Sequence, residues 1–243
     1  MKEETKGLQI LPIVPARKGS KRIPNKNMKV LGGKPLIVWT LDQCKGLPTK
    51  TALVSTDDPT IQELVIQNGF VAPWLRPQEL STDESTTLNV LIHALDYYQS
   101  IGETIDAVLL LQPTSPFRTK ESILRAIDLF LENDGLHTVV GVSKADPHPM
   151  WCFEKNGIFL KPLFNGEGFL LRSQDLPEMY SINGAIYLIP VKTLYEKRAI
   201  LSERNLPIVI DSQKETLDID TMEDWQYAEF LCEQNSKKPD SVF

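Results

Sequence analysis

Residues 105–111 read Ile-Asp-Ala-Val-Leu-Leu-Leu, an apolar run without polar alternation or helical spacing. A strand of this kind is stable only with both faces covered, because a sheet with one wet face would alternate. The chain therefore needs helices on two sides of a sheet, and the neighbouring sequence supplies them. Leu88, Leu91, Ile92 and Leu95 recur at i, i+3, i+4 and i+7, which predicts an amphipathic helix over 86–99. Ile123, Leu124, Ile127, Phe130 and Leu131 predict another on the far side of the run.

The same alternation extends along the chain. Residues 9–16 form a first buried strand, with Pro12 expected at its start or on a sheet edge, since proline cannot donate to a ladder. A helix over 35–45 opens on Pro35, a strand follows at 51–55, and a helix over 58–68 stops at Gly69. Further strands are expected at 184–189, 207–211 and 216–220, the last running straight into a helix from 221. The stretch 145–182, rich in Pro, Gly and aromatics, breaks the pattern and reads as an inserted lobe with hairpin strands near 151–160. The expectation is one α/β domain over 1–243, a three-layer sandwich with a mostly parallel sheet. In such sheets ligands bind beyond the carboxyl ends of the strands.

Composition narrows the function. With 32 acidic and 26 basic residues among 243, the net charge of -6 argues against a nucleic-acid surface. Cys44, Cys152 and Cys232 are too few and too scattered for a disulfide framework or a zinc site, which fits a reducing cytoplasm. The opening residues are polar and carry no signal-peptide core, and no apolar run approaches the ~20 residues of a membrane span.

Against this acidic background, Arg17, Lys18, Lys21, Arg22, Lys26 and Lys29 crowd into one loop after the first strand. Charge counting alone fits a solvated surface run. The position and the small residues Gly19 and Ser20 favour a phosphate clamp, because they let backbone N–H groups approach an anion. The loop is not a P-loop: Pro35 stands where Ser or Thr would follow Lys34, and the earlier Gly is missing. At the other end of the chain, strand alternation would put Asp218 and Asp220 on one face and Ile219 on the other. Two adjacent carboxylates repel each other unless a cation lies between them, and hard oxygen ligands suit Mg²⁺ shared with phosphate. Thr221 and Asp224 have capping-box spacing.

Four motifs in order resemble the acylneuraminate cytidylyltransferase family, the CMP-sialic acid synthetase-like enzymes that include CMP-legionaminic acid synthetases. They are ILPIVPARKGSKRIPNKN (10–27), LLLQPTSPFR (109–118), SINGAIYLI (181–189) and LDIDTMEDW (217–225). The resemblance spans about residue 8 to 230 and implies a nucleotide-diphospho-sugar transferase-like fold with a small sugar-binding and dimerisation lobe. It also implies CTP-dependent activation of a nonulosonic acid, with release of pyrophosphate. Arg17, Lys21 and Lys26 would stabilise the pyrophosphate, and Asn27 would lie beside the nucleotide. In the segment 75–87, similar to the family's Arg-Pro-x-x-Leu run, Arg76, Ser85 and Thr87 would lie against cytosine and ribose. Gln112, Asn183 and Tyr187 would contact the sugar, and Arg172 would pair with its carboxylate. Asp218 and Asp220 would hold Mg²⁺, and with Arg17 and Lys21 would form the catalytic set.

The resemblance further implies a homodimer in which the lobe reaches the partner's site. Ser181 stands where a second Arg can occur. Phe164, Phe169, Leu170, Leu171, Met179 and Tyr180 suggest an apolar sugar pocket or a buried contact, and on the first reading legionaminic or pseudaminic acid is a competing substrate. Kdo cytidylyltransferases share the early Pro-Ala-Arg and rank below, as does a non-catalytic nucleotide-sugar-binding protein. His148, in DPHPMW (146–151), reads as a turn or packing residue.

Overall fold

A computed structural model describes residues 7–236. The chain runs β1 (Ile10–Pro15), a small β2–β3 hairpin (Val30–Leu31, Lys34–Pro35), α1 (Leu36–Cys44), β4 (Leu53–Ser55) and α2 (Pro59–Gln67). Next come α3 (Thr87–Ser100), β5 (Ala107–Leu110), α4 (Lys120–Glu132) and β6 (Thr138–Lys144). A second hairpin of β7 (Phe153–Asn156) and β8 (Phe159–Pro162) precedes β9 (Tyr180–Pro190), α5 (Val191–Glu196), β10 (Asn205–Val209) and α6 (Met222–Ser236).

Six strands form the central sheet in the order β10-β6-β9-β5-β1-β4. All pair in parallel except β9, which runs antiparallel to both β5 and β6. Side-chain alternation assigns the two faces. Ala107, Leu109 and Leu111 pack with α1, α2 and α4, whereas Val108 and Leu110 pack with α3 and α5. The run at 105–111 is thus covered on both sides, as its composition requires, and the fold is a three-layer α/β sandwich. Truncating one of these buried aliphatics would cost about 2–5 kcal/mol.

Two expectations need correction. Pro12 lies inside β1, an interior strand, opposite Leu109. It is tolerated because the ladder to β4 begins only at Ile13, so the missing N–H precedes it. Residues 216–220 are not a strand. Thr216 closes a turn and 217–220 have no regular structure; they pass the turn that follows β5, where the N–H of Ile219 donates to the carbonyl of Thr114 at 2.8 Å. Ile219 is buried with Ile23, Phe117 and Trp225, so it anchors the segment and turns both flanking aspartates outward. The alternation predicted for a strand is present, but a core contact and not a ladder produces it.

The lobe leaves the sheet after Lys144 and returns at Tyr180, which pairs with Lys144 across β6 and β9. Residues 180–182, assigned to the lobe by sequence, already belong to the ladder. His148 is a turn residue: its Nδ1 accepts from the Met150 N–H at 3.2 Å, and its Nε2 lies 2.9 Å from the Pro177 carbonyl. Among the described residues, no helix is long and apolar enough to cross a membrane.

Candidate active site

The carboxyl ends of β1, β4 and β5 and the first half of β9 share one edge of the sheet, and the predicted site residues other than Arg172 gather there. The first loop is folded by a few internal anchors. Ile23 is buried, Asn25 adopts a left-handed φ of 52°, and buried Asn27 donates from Nδ2 to the Arg17 carbonyl at 3.0 Å. Asn27 therefore shapes the loop as well as lining it. Beside these residues lies an open cavity of about 250 Å³ bounded by Arg17, Lys18, Asn27 and Asp58. Asp58 caps α2 through the Thr60 N–H at 2.9 Å, while Asp57 accepts the backbone N–H of Lys18 at 2.7 Å.

Lys26 ties the loop to the far end of the chain. Its Nζ donates to the Ile219 carbonyl at 2.7 Å and to Asp220 Oδ1 at 3.1 Å, with Arg22 3.4 Å from the other Asp220 oxygen. Arg17 and Lys21 converge on Asp83, at 2.8 Å and 2.5 Å. Asp83 belongs to the 75–87 segment. Its carboxyl is held below the usual range chiefly by the bonds from Lys21 and Arg17.

The other residues of that segment are placed differently from one another. Arg76 is buried, with its Nε on Ser55 Oγ at 3.0 Å and its Nη2 on the Ser55 carbonyl. Burial pushes its pKa down to about 10 against the pull of Asp57, and the group stays charged at neutral pH. Its visible work is to fix the end of β4. Among the described residues Ser85 Oγ is buried without a hydrogen-bond partner, which leaves a polar group available just before α3. Thr87 is the first residue of α3, whose N-cap is Thr86.

A second cavity of about 450 Å³ is bounded by Gln112, Ser181, Asn183, Tyr187 and Asp218. Gln112 is held through its backbone by Arg118, a fully buried guanidinium that donates to the Gln112, Ser115 and Ala185 carbonyls at 2.7–3.0 Å. Gly184 forms the floor. Its φ of +75° follows a register shift in the β6–β9 ladder, and an added Cβ would stand 3.6 Å from Gln112 Oε1 and 3.8 Å from Asp218 Oδ2. Asn183 is committed internally, accepting the Ala185 N–H at 3.1 Å and donating to Ser143 Oγ at 3.0 Å. Tyr187 has its pKa raised by burial and then by the charge of Asp218.

Arg172 does not join this cavity. It is exposed on the lobe, before the short 3-10 turn Ser173–Asp175. Phe164, Phe169, Leu170, Leu171 and Tyr180 are not in the wall either; all are exposed, and Phe169 stacks on Phe153 at 5.0 Å.

Asp218 is solvent-accessible at the cavity wall, and its pKa is raised by the partial desolvation it meets there and by the charges of Asp220 and Asp224, opposed by the Thr114 hydroxyl and by Lys26. Asp224 organises the segment: its Oδ2 accepts the N–H groups of Asp220 and Thr221 at 3.0 and 2.7 Å, and Thr221 Oγ1 accepts the Asp224 N–H in return. Among the described residues no group of three or more His, Cys, Asp or Glu could hold a metal ion. Two crowded carboxylates facing a cationic loop fit a hard divalent ion that completes its shell with substrate oxygens and water.

Sequence comparison decides the family. The Cytidylyltransferase family profile matches residues 11–237. This chain belongs to the cytidylyltransferase family. It is a nucleotidyltransferase by that membership.

Among curated cytidylyltransferase relatives, the CMP-N,N'-diacetyllegionaminic acid synthase of Legionella pneumophila is 37% identical over 234 residues, covering 95% of this chain and 99% of that one. The pseudaminic acid cytidylyltransferase of Campylobacter jejuni is 31% identical over 229 residues, with 93% and 97% covered. The N-acylneuraminate cytidylyltransferase of Streptococcus agalactiae is 32% identical over 88% of this chain, which spans 51% of that protein. A solved CMP:2-keto-3-deoxy-manno-octonic acid synthetase complexed with CTP superposes with a TM-score of 0.68 at 16% identity, covering 93% of this chain and 99% of that one. That likeness supports the fold.

Residue-type reasoning did not single out Asp83 or Asp57 as partners of the basic loop. Both lie in short polar runs, Thr56–Asp58 and Ser81–Thr87, whose composition gives no sign of a partner so far along the chain. Thr114 lies in the same turn as Gln112, and its carbonyl accepts the Ile219 N–H at 2.8 Å.

Proposed function

We propose that the enzyme transfers CMP from CTP to a nonulosonic acid and releases pyrophosphate, with a legionaminic-type sugar as its preferred acceptor. One observation carries the reaction class: the bond from Lys26 to Asp220 joins the cationic first loop to the acidic segment that borders the second cavity. A polyanion on the first loop and a sugar in the second cavity would then meet at Asp218 and Asp220.

In this reading CTP lies along the first loop, with Arg17, Lys21 and Lys26 against its β- and γ-phosphates and Asn27, Arg76, Ser85 and Thr87 on the nucleoside side. Gln112, Asn183 and Tyr187 border the sugar. Its anomeric hydroxyl oxygen attacks the α-phosphorus, the bond to the bridging oxygen breaks, the hydroxyl proton passes to a nearby base, and pyrophosphate departs. Positive groups aimed at the leaving oxygens lower the barrier because charge accumulates there in the transition state. Asp218 and Asp220 would hold Mg²⁺, which supplies Lewis acidity and charge neutralisation at phosphate oxygens.

The second cavity, with Gln112, Ser143, Ser181, Asn183 and Thr216 in its wall, offers neutral polar groups to a sugar. The preference among nonulosonic acids rests on relatedness: the 37% relative is a CMP-N,N'-diacetyllegionaminic acid synthase. Arg172 and the exposed apolar lobe are best used across a homodimer, where they would reach the partner's cavity. Pyrophosphate release with CTP, Mg²⁺ and a panel of nonulosonic acids tests the assignment. Turnover only with a sugar 1-phosphate, or with Kdo alone, would replace it.

A further inference from the structure

Three donors of the first loop already face oxyanions of the chain itself. The Arg17 guanidinium and the Lys21 ammonium each take one oxygen of Asp83, and the Lys18 N–H takes Asp57. Capping does not account for Asp83. Thr86 supplies the cap of α3, and Asp83 lies three residues earlier in the coil, with its side chain 46% exposed. A bridging carboxylate places two oxygens on two cations, as a phosphate does.

We propose that Asp83 is a built-in stand-in for the nucleotide's phosphate oxygens: it pairs Arg17 with Lys21 between turnovers, yields them to the triphosphate, and reclaims them as pyrophosphate leaves. This rests on the reading of the first loop as the phosphate clamp. Three features make the exchange feasible. Exposed ion pairs are weak individually, so a ligand of higher charge displaces them. Arg17 and Lys21 repel each other without an anion between them, so the stand-in keeps the clamp assembled. The same carboxylate competes with a bound product, and this competition weighs most on pyrophosphate, which lacks the nucleoside contacts of CTP.

The test measures inorganic pyrophosphate binding to the full chain by titration calorimetry, in Mg²⁺ buffer, for the parent and for Asp83→Asn, Asp83→Glu, Arg17→Ala and Lys21→Ala. Asp83→Asn should bind pyrophosphate roughly threefold to tenfold more tightly, the range expected for losing two exposed ion pairs. Asp83→Glu, which keeps the charge, should stay near the parent. Product inhibition by pyrophosphate should strengthen in Asp83→Asn in the same proportion. Unchanged or weaker binding in Asp83→Asn would overturn the proposal and make Asp83 an ordinary positioning residue. Should Asp83→Asn melt early, Asp83→Ser read against Asp83→Glu supplies the same comparison. If Arg17→Ala and Lys21→Ala both bind pyrophosphate as the parent does, the clamp reading itself fails, an outcome separate from the failure of Asp83 alone.

Discussion

The Thr114 carbonyl accepts the Ile219 N–H at 2.8 Å, and the Thr114 hydroxyl pulls the Asp218 carboxyl down against the rise that desolvation causes. The turn after β5 and the segment before α6 thereby share one geometry. Thr114→Val should keep the fold and raise the Mg²⁺ concentration needed for half-maximal rate by about 10–100-fold, the usual cost of losing a ligand's supporting bond. An unchanged Mg²⁺ requirement would show that Asp218 does not depend on Thr114.

Asp218→Asn and Asp220→Asn should each abolish nearly all turnover. The first has a second signature. The folded state raises the Asp218 pKa above its ordinary 3.8, so its ionised form is disfavoured in the fold. The penalty is present above the folded pKa and vanishes as pH falls below the unfolded one. In metal-free buffer Asp218→Asn should therefore melt higher than the parent near pH 7, with the gap closing below about pH 4. A lower melting temperature at neutral pH would count against the crowding.

Arg118 is fully buried and its fork serves three carbonyls at once. Lysine cannot reproduce that geometry, so Arg118→Lys should cost about 3–5 kcal/mol in urea unfolding, in the range for breaking a buried charge network. A loss below about 1 kcal/mol would mean that the turn carrying Gln112 is held by other contacts.

Gly184→Ala would put a methyl group between Gln112 and Asp218 at a positive φ. Its effect should fall on the sugar: KM for the nonulosonic acid should rise about tenfold or more while KM for CTP stays within about twofold. Equal changes in both constants would place Gly184 away from the acceptor cavity. In the parent, kcat/KM for legionaminic acid should at least match that for N-acetylneuraminic acid. A preference for the latter above about a hundredfold would show a pocket that reads hydroxyls.

Leu170 is 89% exposed and Ile158 91% on the lobe. If the lobe docks on a second copy, the double substitution Ile158→Asp with Leu170→Asp should shift the protein from dimer to monomer in sedimentation. A dimer that persists would move the interface elsewhere.

Much of the architecture was readable because burial writes itself into periodicity. The run at 105–111 demanded two covering layers, and the spacing of Leu88, Leu91 and Leu95 fixed one of them. The strand expected at 216–220 failed for a reason that periodicity cannot detect. A buried Ile219 between two outward aspartates has the same pattern whether a neighbouring strand or a hydrophobic socket holds it. Pro12 misled in the opposite direction, because its tolerance depends on where β4 begins to pair. In the site, Lys26 and Asp220 were legible as charges, but their direct bond spans 194 positions and no local pattern encodes it. The commitment of Asn183 to Ser143 and Ala185 was equally hidden, since an internally spent amide looks like a free one in sequence.

The return of the chain at Tyr180 directly opposite Lys144 has a consequence for how this enzyme can change. The two ends of the 145–179 excursion are ladder neighbours, so the sheet fixes their separation whatever lies between them. The lobe is thus a cassette plugged into a socket that the β6–β9 ladder holds: Ser143 faces Ser181, Lys144 faces Tyr180, and the Ala145 N–H donates to the Met179 carbonyl at 2.8 Å. A change in its length meets the sheet only at that socket, so the strands that carry Gly184 keep their register whatever is strung between the two ends.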